Sequence, residues 1–262
     1  MPGWGRHITV SLLCELTKRE LLERYAGSML GGVWSFLRPA LTMLVFVVVF
    51  SNIMGVTIPG YSSAYSYSVY LIAGLLPWTA FSTSIIRATT VLVARRDLLT
   101  TLPLPLLTLP AVVVLAESVA LLPAILLFLA FLAVTGMAPT YSVWTLPVVF
   151  VLHQLFALGV GFLLAVLHVF LRDLKELTDV TVQMWFWLTP IAYVATILPQ
   201  EVAQVVAFNP AYWFVRAYQD LFVFRIAPST IDLALLAAVA GLTLGGACVV
   251  AKVLESDVRD LV

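Results

Sequence analysis

The chain has 262 residues, 62% hydrophobic and 11% charged, with 14 basic and 14 acidic side chains and no formal net charge. A mean hydropathy of +1.05 excludes an ordinary water-soluble domain, and the charge balance suggests no nucleic-acid partner. The sequence reads as an all-α polytopic membrane protein. A helix crosses the bilayer core with about 20 apolar residues, and backbone groups in lipid must be satisfied internally. The apolar runs are too long and unbroken for a β-barrel, whose strands alternate over about 10 residues.

The first segment, Met1–Glu23, is polar and mixed in charge and lacks the apolar core of a cleaved signal, so the first span is expected to act as an uncleaved insertion signal. Within it, Ile8–Tyr25 predicts an amphipathic helix. Ile8, Leu12, Leu13 and Leu16 share one face, Glu15, Lys18 and Arg19 take the other, and Leu21, Leu22 and Tyr25 drift off the stripe. Such a helix suits the cytoplasmic interface; a solvated lead-in is the plainer reading. A flexible break at Gly27–Gly32 follows, then Trp34. Arg38-Pro39 suits a helix start, with Pro39 in the first turn and Arg38 at headgroup level.

Six spans are expected: Leu37–Val56, Ser68–Val91, a long proline-broken Pro105–Val134, Val143–Phe170, Leu177–Leu198 interrupted at Pro190, and Ile231–Leu254. Between the second and third, Arg95-Arg96-Asp97-Leu98-Leu99-Thr100-Thr101-Leu102-Pro103 predicts a short, stiffly terminated helix at the membrane edge. It reads as a docking element, or more plainly as a basic anchor. Between the fifth and sixth, Pro199–Pro228 is too long for a tight loop and too apolar for a free one. Two short helices broken at Asn209-Pro210, re-entrant into the outer leaflet, fit it; an interfacial aromatic belt also accounts for its rings. The organisation expected is an interface helix and linker over 1–32, a transmembrane domain over 33–254 and a cytoplasmic tail over 255–262.

Basic residues fix the orientation. Arg6, Lys18, Arg19, Arg24 and Arg38 precede the first span, Arg95 and Arg96 follow the second, Arg172 and Lys175 follow the fourth, and Lys252 and Arg259 close the chain. Loops Ser51–Tyr67 and Thr135–Ser142 carry no charge, and only Arg216 and Arg225 fall on the outer side. Both termini are therefore expected in the cytoplasm. Cys14 and Cys248 fall on that reducing side, where a disulfide is not expected.

Ionisable residues inside spans are costly and rarely incidental. Arg87 and Glu117 fall at similar depth and are expected to form a structural ion pair, so that reversing both charges together restores what either single reversal loses. A proton relay through Glu117 is the sharper alternative. His153 and His168 are expected as hydrogen-bonded interior residues; fifteen positions apart on one helix, they cannot share a metal. Aromatic rings cluster towards the outer half, including Tyr67, Trp78 and Tyr193. Headgroup anchoring covers some of them, while others offer flat apolar surfaces on which a sugar ring slides. The spacing Gly241, Gly245, Gly246 permits close helix contact, within the chain or at an oligomer seam.

No phosphate loop, GxSxG elbow, HExxH or paired-cysteine motif is present. No catalytic residue, metal site or bound cofactor is expected. The spans also lack the carboxylate sets and inverted repeats of ion-coupled carriers. If the chain carries a solute, it needs a partner that supplies energy.

Several runs then point to one family. Glu23-Arg24-Tyr25-Ala26-Gly27-Ser28-Met29-Leu30-Gly31-Gly32-Val33-Trp34-Ser35-Phe36-Leu37-Arg38-Pro39 resembles the approach to the first span in type-2 ABC permeases that export bacterial polysaccharides. Gly74-Leu75-Leu76-Pro77-Trp78 is similar to their second span, and Val169-Phe170-Leu171-Arg172-Asp173-Leu174 to their "VFFRDI" turn. Trp187-Leu188-Thr189-Pro190-Ile191-Ala192-Tyr193, Leu198-Pro199 and Phe208-Asn209-Pro210 are similar to their fifth span and outer re-entrant region. The resemblance is nearest to O-antigen and teichoic-acid exporter permeases of the Wzm/TagG type.

The resemblance implies a homodimer bound to two copies of an ABC ATPase, which holds ATP and magnesium, exporting a lipid-linked glycan across the bacterial inner membrane. It implies an interface helix carrying Glu15 and Arg19, and a coupling helix at Arg95, Arg96, Asp97 and Leu98. Trp34 and Arg38 would lie at a cytoplasmic portal. Tyr67, Trp78 and Tyr193 would line a channel. Asn209, Pro210, Tyr212 and Trp213 would belong to a periplasmic gate. Two rivals are a permease for a drug or a lipid and a membrane enzyme of lipid-linked sugar metabolism, which the sequence gives no catalytic constellation to support.

Overall fold

The computed structural model describes residues 10–61, 63–102, 104–138 and 140–261. Arg6, Ile8 and Pro103, used above, lie outside them. The described residues are helical and contain no strand. In chain order they form α1 (Val10–Tyr25), α2 (Trp34–Phe46), α3 (Ser66–Ala94), α4 (Arg96–Thr101), α5 (Thr108–Val134) and α6 (Leu146–Phe170). There follow α7 (Leu174–Leu188), α8 (Gln200–Ala207), α9 (Pro210–Gln219), α10 (Thr230–Val253) and α11 (Glu255–Leu261).

Five helical segments are long and apolar enough to cross a membrane: Gly31–Ile53, Ser66–Ala94, Thr108–Val134, Tyr141–Phe170 and Thr230–Val253. Expected span five is different. Its helix, α7, stops after 15 residues, roughly 22 Å at 1.5 Å per residue, and Thr189 turns the chain into extended backbone. Pro190 cannot donate the next helical hydrogen bond and disfavours helix in the residue before it.

Two boundaries differ from expectation. The third span is not broken by its prolines. Pro105 precedes α5 and Pro110 sits in its first turn, where no helical amide bond is lost; Pro123 alone is interior, and the helix continues through it. The first span starts earlier than Leu37. A 3-10 turn at Gly31–Val33 leads into α2, so Pro39 lies inside the helix, which ends in a π-helical turn at Val47–Ile53.

α3 is the central post of the bundle. It packs against α5, α6, α7 and α9 and carries Tyr70, Phe81, Ile85 and Leu92 into the core. Of the apolar window of the first span 6% is buried, against 72% for α3, so α2 stands at the margin. At the other side α6 and α10 meet backbone to backbone. A β-carbon on Gly159 would lie 2.6 Å from the Leu244 nitrogen, so only glycine admits this approach. Gly241, Gly245 and Gly246 have nothing within 4 Å of such a carbon, so packing within the chain does not use that small-residue stripe. α10 starts with a capping box between Ser229 and Asp232. The expected tail forms α11, which buries Val258 and donates a hydrogen bond from Arg259 to the Leu104 carbonyl at 3.0 Å.

Candidate functional site

A cavity of about 510 Å³ opens between the α1–α2 linker, α2, α3 and α5. Arg24, Ser28, Trp34 and Arg38 line it from the α1–α2 region, and Thr79, Thr83, Glu117 and Leu121 line it from α3 and α5. Trp34 donates its indole N–H to Ser28 Oγ at 3.1 Å, and the Arg38 guanidinium stands 5.7 Å from the Trp34 ring centre. The two residues expected at a portal thus share one cavity wall. Arg38 is exposed and makes no ion pair among the described residues.

α3 and α5 hold the intramembrane pair. Glu117, 4% exposed, accepts from Arg87 Nη1 with one oxygen and from Arg24 Nη1 at 3.1 Å with the other. Arg87 also donates to Glu20. Glu20 accepts from Arg95 at 3.1 Å, Arg95 donates to Glu23 at 2.5 Å, and Glu23 accepts from Arg19 at 2.7 Å. Four guanidinium groups and three carboxylates therefore form one connected network from α1 to α3 and α5. The hydrogen bond from Arg95, then that from Arg19, holds the Glu23 carboxyl below its ordinary range. The pair read from sequence is one link of a chain, and that overturns the double-reversal expectation. Swapping both charges sets the new carboxylate against Glu20 and the new guanidinium against Arg24.

Glu20 is what the sequence reading passed over. It lies four residues after Leu16, on the apolar stripe of α1. A carboxylate on that face is the available signal that the helix meets a buried cation. Glu15, by contrast, is exposed on the far side, as is Arg19 apart from its bond to Glu23.

Arg95 immediately precedes α4. In that short helix Leu99 is buried and Leu98 half-buried, while Arg96 and Asp97 project into solvent with 69% and 99% of their side chains exposed. α4 is thus anchored by its leucines and by Arg95, and presents one positive and one negative side chain outward.

The outer side is built differently. The break after α7 frees a series of carbonyls at membrane depth, which need partners. Asn209 Nδ2 donates to the Leu188 carbonyl at 3.3 Å and to Thr189 Oγ1 at 2.9 Å. Asn209 Oδ1 accepts from Trp185 Nε1 at 2.7 Å and from the Ala211 amide at 3.0 Å, the latter capping α9. Pro190 O accepts from Gln219 Nε2 at 2.9 Å and from Tyr70 at 3.2 Å; Tyr70 also reaches Tyr193 O at 3.3 Å. Tyr67 donates to Ala192 O, and Tyr193 to Trp187 O at 3.0 Å. Gly74 leaves room for this arrangement, because a β-carbon there would lie 2.9 Å from Gln219 Nε2. Tyr70 and Gln219 had no sequence signal; a tyrosine in an aromatic-rich span reads as another ring.

Tyr67 and Trp78 need revising as channel-lining rings. Both are buried in the protomer: Tyr67 beside Phe50, and Trp78 against Phe81, Trp185 and Phe186. Spacing along a helix gives depth but not the direction of a ring. Tyr193 is half-buried, as are Tyr212 and Trp213, which donates to Ala207 O at 2.9 Å and lies under Arg216. Asn209 and Pro210 join α8 to α9 as expected, and α9 buries Phe214 and Val215 completely.

The histidines also differ from expectation. His153 stacks between Phe81 and Phe214 at centroid distances of 5.0 and 4.9 Å, and neither ring nitrogen has a protein hydrogen-bond partner. His168 Nδ1 is likewise unpartnered. Cys14 and Cys248 are free thiols.

Residues 11–223 match the ABC-2 type transporter family model. The chain is 35% identical over 230 residues to the O-antigen export system permease protein RfbA of Myxococcus xanthus, covering 87% of this chain and 86% of that one. A protein of the same name from Klebsiella pneumoniae is 31% identical over 212 residues, 80% of each chain. The polysialic acid transport protein KpsM of Escherichia coli is 22% identical over 209 residues, 77% of each.

Proposed function

The chain belongs to the ABC-2 type transporter family, and we propose that two copies of it enclose a passage through which a lipid-linked polysaccharide leaves the cytoplasm. It is a multi-pass membrane permease of the polysaccharide-exporter kind, and an ATPase partner follows from that membership. In this reading two ATPase copies bind ATP and magnesium, and the permease dimer sits in the bacterial inner membrane with both termini cytoplasmic. The stretch 1–32 serves as interface and linker, 33–254 as the permease body and 255–262 as a cytoplasmic end. α7 with the extended residues after it makes the sixth crossing.

One observation carries the reading. The cavity holding Trp34 and Arg38 shares its wall with Glu117, and Glu117 is joined through ion pairs to Arg95 at the base of α4. A cargo portal and an energy-receiving helix are thereby one mechanical unit. ATP binding closes the partner subunits on the exposed end of α4. The push passes through α3 and α5 to α8 and α9, which act as the periplasmic gate. Asn209, Pro210, Tyr212 and Trp213 shape that gate, and Tyr193 faces the passage. Tyr67 and Trp78 support its wall from behind.

Complementation tests this. Expressed with its cognate ATPase in a strain lacking its own O-antigen export permease, the chain restores surface glycan, measured by immunoblot of whole cells. Arg96→Glu with Asp97→Arg leaves membrane insertion intact and abolishes display, with lipid-linked glycan accumulating inside. Normal display by that variant at normal protein level overturns the role of α4.

A further inference from the structure

We infer that Arg24 is an exchangeable cation, which leaves Glu117 for a phosphate-bearing lipid headgroup in the cavity and so reports occupancy to α4. The inference rests on the export reading and adds a mechanism by which cargo regulates it.

Glu117 has two cation partners on separate oxygens. If Arg24 withdraws, Arg87 still neutralises the buried carboxylate, so the exchange leaves no uncompensated charge in the membrane. Arg24 suits the leaving role. It holds Glu117 by a single hydrogen bond at 3.1 Å, its side chain is 29% exposed and lines the cavity, and it sits in the last turn of α1, before the turn at Gly27. Arg38 lines the same cavity without an ion-pair partner among the described residues. The four guanidinium groups of the network exceed its three carboxylates by one, and Arg38 adds a second positive charge; of these groups Arg24, Arg38 and Glu117 line the cavity, so it carries a positive surplus. Two guanidinium forks lining one cavity match a phosphate or diphosphate, whose oxygens take bidentate donors.

The consequence reaches the ATPase side. Glu20 and Glu23, one turn and less before Arg24, clamp α1 to Arg87 and Arg95. A shift in the last turn of α1 therefore loads the residue that starts α4. Cargo binding becomes a change at the helix that meets the ATPase, and no conformational signal has to cross the bundle.

The test uses the permease–ATPase complex in nanodiscs of phosphatidylcholine, with undecaprenyl diphosphate or phosphatidylglycerol added. ATP hydrolysis and binding of a fluorescent polyprenyl diphosphate are both measured. The wild type is expected to bind the diphosphate and to hydrolyse ATP several-fold faster in its presence. Arg24→Gln weakens binding about tenfold and loses the stimulation, and Arg24→Lys recovers part of both. Glu117→Gln, which frees Arg24, moves the other way: tighter binding and hydrolysis raised without added lipid. A merely structural pair would make both variants fall together, and that result overturns the inference; so does stimulation that survives in Arg24→Gln. Should Glu117→Gln not assemble, Glu117→Asp with the two Arg24 variants decides the same question. Equal stimulation by phosphatidylglycerol assigns the exchange to ordinary membrane phosphate and overturns its role in cargo sensing. A complex that displays glycan in cells but shows no dependence on Arg24 sinks the exchange alone, whereas one that displays no glycan sinks the export reading.

Discussion

The inner and outer ends of the bundle face the same problem and solve it with opposite chemistry. Both hold polar groups at a depth where water is scarce. At the inner end the groups are charges, and each of Glu117, Arg87, Glu20 and Arg95 has two partners. At the outer end they are neutral carbonyls freed by the Pro190 break, met by side chains from α3 and α9. Shared partners let a charge network rearrange without exposing any one member. Directional hydrogen bonds between neutral groups fix a shape instead. The inner end is built to be reset, and the outer end to hold an irregular backbone in place.

The sharpest way to break this contrast is at Glu117. Glu117→Leu leaves Arg24 without a partner and Arg87 with Glu20 alone, and is expected to cost about 3 kcal/mol, read by thermal unfolding in nanodiscs. The simultaneous reversal Arg87→Glu with Glu117→Arg recovers none of the loss, because Glu20 and Arg24 then face like charges. Full recovery would reduce the network to an isolated pair. Next comes Asn209→Leu, which removes four hydrogen bonds, one of them the cap of α9, for about 2–3 kcal/mol. Tyr70→Phe follows at about 1 kcal/mol, since Gln219 still holds Pro190 O. With Gln219→Leu added, the joint loss exceeds the sum of the two, and additivity would mean that the two donors do not share that carbonyl.

The smallest effect is on the exposed edge. Arg19→Ala is expected to leave stability unchanged within error, as solvent screens an exposed i,i+4 pair. The Glu23 carboxyl is held below its ordinary range, so its contribution is complete above the ordinary carboxylate pKa. It disappears only as pH falls through the lowered value. Protease resistance of α1 should therefore be flat between about pH 8 and about pH 6.

Much of this was legible in the chain itself. Long apolar runs gave five of the six expected spans because length against bilayer thickness is a strong constraint. Thr189-Pro190 and Asn209-Pro210 gave the breaks because proline removes a donor. Arg87 and Glu117 declared themselves by their cost in lipid. What escaped was direction around a helix axis. Tyr67 and Trp78 have the composition of a lining and the position of a core. Gly159, which joins two helices, carries no motif, while Gly241, Gly245 and Gly246 face open space. Nor could the sequence show that Pro105 and Pro110 spare α5, since that depends on where the helix starts.

Gly159 welds α6 to α10, and α3 is packed on most sides, yet α2 leans on the rest with little of itself covered. In the export reading proposed above, the flank beside the cavity is where a greasy anchor would remain among the acyl chains while its polar head turns inward. For a molecule too amphiphilic to dissolve in either phase, such a sideways doorway removes the need ever to leave the bilayer before the journey starts.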